Sequence, residues 1–327
     1  LMCVLISILS AFIENVAAVL IMAPIALSIA ERYNISPVPL IIGLAISSNL
    51  QGTATLIGDP PSMLLAGYAR MTFNDFFFFQ GRPGIFFAVQ AGAIVSFIFL
   101  YFLFRKYKQI VPPQDIEKVK SYVPTIFLIL LILALAGTSF FDTEATYMAG
   151  SLCMLFGLGL LLWYMMFEGE KNWAFTEGWD LLKRLDWDTA LFLIGVFVLV
   201  GGLAHAGWID MFANYLAGIL GGRLLLGFIA IVVIAVGFSG FVDNVPFLVA
   251  MLPLVQQVNA ITGHSPYLFL YGLLLGASVG GNITPIGASA NIVAVGILKK
   301  ESHIVNFWQF VKIGLPFTIA AVIPAAA

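Results

Sequence analysis

Three carboxylic acids stand inside long apolar stretches of this 327-residue chain: Glu14 in FIEN, Asp59 in GDPP and Asp243 in FVDN. The sequence has no lysine or arginine before Arg32, none between Arg32 and Arg70, and none between Arg223 and Lys299. A bare charge at the centre of a bilayer costs at least ~2.5 to 3.5 kcal/mol on insertion scales, so acids in such surroundings point to a cation or a proton as partner. The bland alternative is that each caps a half-helix, where free N–H groups and the positive dipole end favour negative charge. For Glu14 and Asp243, which recur in equivalent settings, binding is the favoured reading. For Asp59, followed by Pro60 and Pro61 at a helix start, capping and binding stand level.

Neutral polar residues surround the acids. Asn15 and Asn244 follow two of them and can either ligate an ion or tie one segment to another. Thr53, Thr55, Asn282 and Thr284, with Ser48, Asn49 and Ser278 just before them, offer hydroxyls, amides and unwound carbonyls that suit a hard cation. Gly52, Gly58, Gly280, Gly281 and Gly287 cluster with these groups, where they permit a helix to break and backbones to approach closely. Pro24 and Pro253 are expected to kink helices. His205, His264 and His303 stand apart from one another near segment edges, and Cys3 and Cys153 read as buried apolar thiols. There is no nucleophile elbow, P-loop or HExxH motif, so neither an enzyme, a cofactor nor a structural metal is expected.

The elements that position these residues are set by hydropathy. The chain is 61% apolar and 10% charged, against about 25% charged in ordinary soluble domains. Its mean hydropathy is +1.02. Apolar runs at 84–104, 122–141, 145–167 and 188–206 each approach the ~20 residues a spanning helix needs. The lipid bilayer is therefore the main partner. The net charge of -2, with basic residues scattered between runs, gives no footprint for nucleic acid.

Laid on itself at an offset of 229, the sequence aligns residues 10–63 with 239–292 without a gap, and fourteen of fifty-four pairs are identical. Asn15/Asn244, Pro24/Pro253, Gly52/Gly281, Thr55/Thr284 and Gly58/Gly287 are among them, and Glu14/Asp243 is a conservative pair. Shared aliphatic bias would place the matches on Leu and Ile, whereas these fall on helix breakers and polar residues, as a repeat requires. In each copy the FIEN or FVDN interruption separates apolar arms of about 12 to 16 residues, too short to cross singly, which fits a re-entrant hairpin. SNLQGTATLIGDPPS at 48–62 and SVGGNITPIGASAN at 278–291 fit broken helices. Irregular backbone at membrane depth is tolerated only where it is buried or lines a cavity, so the four interruptions are expected to converge on one site.

The expected fold is an all-α polytopic membrane protein of two inverted-topology repeats. Repeat 1 spans 1–105, with a hairpin at 1–30, a broken helix at 36–70 and a helix at 84–105. A cytoplasmic linker follows at 106–121. Repeat 2 spans 122–327, with scaffold helices over 122–206, an interfacial segment at 207–222, a hairpin at 224–262, a broken helix at 264–299 and a last helix at 312–327. The stretch at 72–82 also reads as an interfacial helix. Threaded this way, twelve basic residues lie inside, including Arg32, Arg105, Lys106, Lys108, Lys118, Lys120, Lys171, Lys183 and Arg184, and only Arg70, Arg82 and Arg223 lie outside. The Asp142/Glu144 turn is external. The first residue already lies in an apolar segment, and comparing the repeats suggests that roughly one hundred residues of repeat 1 are missing.

The stretches SNLQGTATLIGDPPSMLLAG, SGFVDNVPFLVAMLPL and GGNITPIGASANIV resemble the ArsB/NhaD branch of the ion transporter superfamily. That branch contains arsenite permeases, NhaD-type sodium/proton antiporters and the melanosomal P protein, and is related to citrate and dicarboxylate carriers. The resemblance implies a secondary active transporter in a bacterial or archaeal cytoplasmic membrane. It also implies an elevator-like alternating-access mechanism and a homodimer. The carboxylate carriers carry Ser-Asn-Thr at their hairpin tips, whereas this chain has Glu14-Asn15-Val16 and Asp243-Asn244-Val245. Acids there would repel a dicarboxylate unless cations neutralised them, and they favour sodium/proton exchange directly, with Glu14 and Asp243 alternating between the two ions. Arsenite, neutral near neutral pH, is the alternative substrate, followed by other oxyanions and citrate or dicarboxylate. An ion channel is the alternative of a different class.

Overall fold

The computed structural model describes residues 1–105, 121–140, 148–168, 183, 187–220, 223–262 and 266–327. The linker lysines Lys106, Lys108, Lys118 and Lys120, the Asp142/Glu144 turn, Lys171, Arg184 and His264 lie outside the described residues. What is described is an all-α polytopic membrane protein. Among the described residues, four helices are long and apolar enough to cross a membrane: Asn15–Arg32, Ile85–Phe104, Met148–Phe167 and Phe307–Ala326.

The first segment is α1 (Met2–Ser10) and α2 (Asn15–Arg32), which touch each other and pack together on α3 (Val38–Gly52). Apolar residues carry α1 to Ser10, and α2 begins where the Glu14 carboxylate accepts the Ala17 N–H. The chain breaks from Thr53 to Asp59 and resumes as α4 (Pro60–Ala69), whose first turn holds two prolines, where an absent N–H leaves no hydrogen bond unmade. Next comes α5 (Ile85–Phe104). The helices α6 (Val123–Thr138) and α7 (Met148–Trp163) pack on each other, and of their large apolar side chains only Leu135 is buried, as lipid-facing helices require. A π-helical turn at Tyr164–Glu168 extends α7.

Helix α8 (Trp187–His205) meets α9 (Trp208–Leu220) at a 71° bend, with Gly207 at φ 75 supplying the left-handed turn. Four elements then echo the first ones: α10 (Leu224–Ser239), α11 (Asn244–Thr262), α12 (Pro266–Gly280) and, after a 3₁₀ turn at Gly281–Ile283, α13 (Ser289–Lys300). Helix α14 (Phe307–Ala326) ends the chain and packs against α5.

Small residues set these packings. On α12, Gly272, Gly276 and Gly280 face α10. A Cβ on Gly276 would lie 2.6 Å from Ala235 Cβ, and one on Gly280 would lie 2.7 Å from Val236 Cα. This is the small-xxx-small spacing by which membrane helices approach closely without a hydrophobic drive between them. A Cβ on Gly314 would run into the Asn282 carbonyl oxygen, so α14 lies directly on the second break.

Three expectations are corrected. Residues 72–82 form no helix along the interface. They make a 3₁₀ turn at Asn74–Phe76 and a two-residue hairpin, Phe78 opposite Pro83 and Phe79 opposite Arg82, because Gln80 and Gly81 both take positive φ and turn the chain tightly. The second arms of the hairpins are 18 and 19 residues, not 12 to 16, because α2 and α11 run on past their apolar stretches through Glu31–Arg32 and Asn259–Thr262. The last helix starts at Phe307 rather than 312, where the Asn306 side chain accepts the Trp308 N–H at 3.2 Å.

Candidate functional site

The two breaks and the first hairpin tip meet through asparagines. Asn15 opens α2 and is 4% exposed, and its amide donates to Asn49 Oδ1 at 3.0 Å. The Asn49 amide reaches Asn282 Oδ1 at 2.8 Å and Asn291 Oδ1 at 3.0 Å. Asn282 in turn donates to the Ile46 carbonyl at 3.2 Å, and Asn291 donates to the carbonyls of Gly281 and Thr284 at 2.9 and 3.0 Å. Asn49 therefore joins segments more than two hundred residues apart in sequence through buried amide bonds. Such a network is stabilising when every member is satisfied and costly when one is removed.

Hydroxyls fix the breaks to the hairpins. Ser10 donates to the Ser48 carbonyl at 2.9 Å, and the Ser48 hydroxyl lies 2.8 Å from Ser10 Oγ and 3.1 Å from the Asn15 carbonyl. Thr55 donates to the Ala11 carbonyl, and Thr53 donates back to the Asn49 carbonyl at 3.1 Å. In the second half, Ser239 donates to the Ala277 carbonyl at 2.5 Å and Thr284 to the Gly240 carbonyl at 2.5 Å. Each of these repeats a first-half bond at the offset of 229: Ser10 to Ser48 becomes Ser239 to Ala277, and Thr55 to Ala11 becomes Thr284 to Gly240.

The glycines close each break on itself. A Cβ on Gly58 would collide with the Gly52 carbonyl, and one on Gly287 would lie 2.6 Å from the Gly281 carbonyl oxygen. Gly52 is crowded by Asp59, whose Cβ lies 3.0 Å from where a side chain would begin. Only a residue without a side chain fits where two stretches of backbone cross this closely.

All three acids take up helix-capping geometry. Glu14, half-buried, accepts the Ala17 N–H at 3.0 Å. Asp243 accepts the Val245 N–H at 3.0 Å through Oδ1 and the Ser289 hydroxyl at 3.3 Å through Oδ2, tying the second hairpin tip to the second broken helix. Asp59, with no exposure, accepts the Ser62 N–H at 3.0 Å through Oδ1, while its Oδ2 has no hydrogen-bond partner. At Asp59 capping uses one carboxylate oxygen and leaves the other without a partner, so capping there is compatible with binding. Asn244 is buried at the second tip, and Ser278 is buried with an unpartnered hydroxyl. Asn49, Thr53, Thr55, Asp59, Ser278, Asn282 and Thr284 are all sealed from solvent in this conformation.

The sequence reading passed over Asn291, Ser62, Ser289, Ser10 and Ser239. Ser10/Ser239 was an identical pair in the repeat alignment. Asn291 closes the SVGGNITPIGASAN motif, but one turn into α13 it resembles an ordinary helix residue. Its role shows only in the bonds it makes across the break.

Residues 1–267 match the model of the CitMHS family, described as citrate transporter. The chain is 30% identical over 321 residues to an uncharacterised transporter of Mycobacterium tuberculosis, covering 97% of this chain and 73% of that protein. It is 28% identical over 336 residues to an uncharacterised transporter of Synechocystis, covering 97% and 73%. To the human P protein it is 23% identical over 398 residues, covering 98% of this chain and 47% of that protein.

Proposed function

Starting from a chain that belongs to the citrate transporter family, and is therefore a multi-pass membrane transporter, we propose that it is a secondary active transporter exchanging a small cation, sodium first, for protons. One observation carries this reading. Three acids sit at the helix interruptions, and the stretches that hold them contain no lysine or arginine from Leu1 to Glu31, from Tyr33 to Ala69 or from Leu224 to Leu298. A carboxylate in such a place is tolerable with a bound cation or as the neutral acid, so the two ligands compete for one charge. The serine, threonine and asparagine oxygens around the acids suit the cation.

In this reading the two halves are inverted-topology repeats with re-entrant hairpins, and transport alternates between faces by displacing the hairpins and broken helices together. The sealed cluster is then an occluded state. The acidic hairpin tips and the P-protein relative support a reading in which the chain belongs to the ArsB/NhaD branch and works as a homodimer in a cytoplasmic membrane. A second reading, carriage of citrate or another carboxylate, is favoured by the description of the matching family. It requires the acids to be neutralised by co-bound cations before an anion can approach. Arsenite or another oxyanion stands behind it.

Reconstitution of the full-length protein, screening sodium, lithium, arsenite and citrate against an imposed proton gradient, separates these readings. Sodium or lithium is expected to move protons. Citrate or arsenite uptake without any cation-driven proton movement would replace the exchange reading. Flux far above carrier turnover, without coupling to a second gradient, would show a channel.

A further inference from the structure

Away from the breaks, the two halves enclose a second polar place. Helix α4 of the first half ends where it meets α11 and the start of α12, and the three leave a cavity of about 420 Å³ lined by Tyr68, Ala69, Arg70, Gln256, Tyr267 and Leu270. Its polar groups are nearly all donors. The Tyr68 hydroxyl donates to Gln256 Oε1 across the halves and so occupies the one carbonyl oxygen that these side chains offer. The Gln256 amide nitrogen, the Tyr267 hydroxyl and the Arg70 guanidinium remain, and none of the three makes a hydrogen bond or ion pair among the described residues. Asp75, the next acid along the chain, is taken up by the N–H and hydroxyl of Thr72. Arg70 also holds an unusual backbone. It caps α4 at φ 54 and ψ 47, in the left-handed region, where glycine is the ordinary choice and a side chain costs free energy. A strained position that nevertheless keeps its side chain points to a use for that side chain.

We propose that this cavity binds a phosphate group, that of a phospholipid headgroup. The inference stands apart from the exchange reading and goes beyond it. Phosphate carries acceptor oxygens on every side, and a planar guanidinium bonds two of them at once, which leaves others for the Gln256 amide and the Tyr267 hydroxyl. A transported cation has no place among these donors. Since α4 belongs to one half and α11 and α12 to the other, a phosphate held here joins the halves beside the Tyr68 to Gln256 bond.

Depth favours a lipid as the source of the phosphate. Helix α4 starts at the first break and runs ten residues, about 15 Å at ~1.5 Å per residue. That is half of a hydrocarbon core of ~30 Å, so a break at mid-depth puts Arg70 at the headgroup level. Tyr68, 38% exposed, and Tyr267 are of the residue type enriched at that level. Ala69 and Leu270 give the cavity an apolar wall against which the start of the lipid chains can lie. Basic pockets between membrane helices are a general means of holding lipid headgroups.

The test is the thermal midpoint of the full-length protein in detergent with three additions: phosphatidylglycerol, diacylglycerol of the same chains, which lacks the phosphate, and inorganic phosphate. Wild type is expected to shift upward with phosphatidylglycerol and not with diacylglycerol. Arg70→Gln should lose most of that shift and Tyr267→Phe part of it. Arg70→Gly suits the left-handed backbone, so it should match or exceed the wild-type midpoint without lipid and yet lose the shift, which keeps the test decisive should Arg70→Gln fail to fold. Equal phosphatidylglycerol shifts in wild type and Arg70→Gly would overturn the inference, as would an equal wild-type response to diacylglycerol. A shift by inorganic phosphate as large as that by the lipid, and lost in Arg70→Gly, would assign the cavity to the free ion and overturn the lipid as its source.

Discussion

The two broken helices are nearly the same in backbone and unlike in chemistry. Gly52 and Gly58 close the first break as Gly281 and Gly287 close the second. Thr55 and Thr284 bond the corresponding hairpin carbonyls, as do Ser10 and Ser239. Yet the first break carries Asn49, Thr53 and Asp59 where the second carries Ser278, Asn282 and Ala288. The duplicated groups build a place where a helix can be broken inside a membrane, which requires each freed backbone group to find a partner. The unduplicated groups supply a third acid, Asp59, and the Asn49 amide that joins the halves.

That division orders the predictions. The largest effect belongs to the shared closures: Gly58→Val and Gly287→Val should each abolish transport while the protein still inserts, since a side chain at either position meets backbone that cannot yield. Membrane fractionation alongside uptake checks both, and normal transport in the two variants would remove the breaks from the site. Next comes Asn49→Ser, which gives the first break the second break's residue. It strands amide groups of Asn15, Asn282 and Asn291, at about 1 to 3 kcal/mol for each buried group left unpaired, and should lower the thermal midpoint of the detergent-solubilised protein by several degrees. An unchanged midpoint would mean that the asparagine network does not hold the halves together. The smallest effects are expected for Thr55→Val and Thr284→Val, about 1 kcal/mol each by the same measurement, equal in size and additive in the double variant. A marked inequality would show that the shared bonds are not equivalent after all.

Much of this was legible beforehand for a physical reason. A run of Gly, Thr, Asn and Pro inside apolar sequence has no stable place in lipid unless it is buried against protein, so SNLQGTATLIGDPPS and SVGGNITPIGASAN announced themselves. The gapless offset links Thr55 to Thr284 and Gly58 to Gly287 from the sequence alone. Features set by contact rather than composition did not show. Asn291 looks like any helix residue until it is seen bonding the Gly281 and Thr284 carbonyls. Residues 72–82 have the aromatic and polar mixture of an interfacial helix, and only the paired positive φ values at Gln80 and Gly81 turn them into a hairpin. The arms at α2 and α11 run further than their hydropathy suggests, because a helix continues through polar residues when packing supports it.

The central claim is that acids at the helix interruptions exchange a cation for protons, and sodium-driven proton movement in proteoliposomes tests it most directly. Wild type should acidify or alkalinise the lumen in step with the imposed sodium gradient, and Glu14→Gln and Asp243→Asn should each stop or uncouple that movement, since the amides keep the size and remove the charge for which the two ions compete. Full coupled exchange in both variants would contradict the account, leaving Glu14 and Asp243 as helix caps.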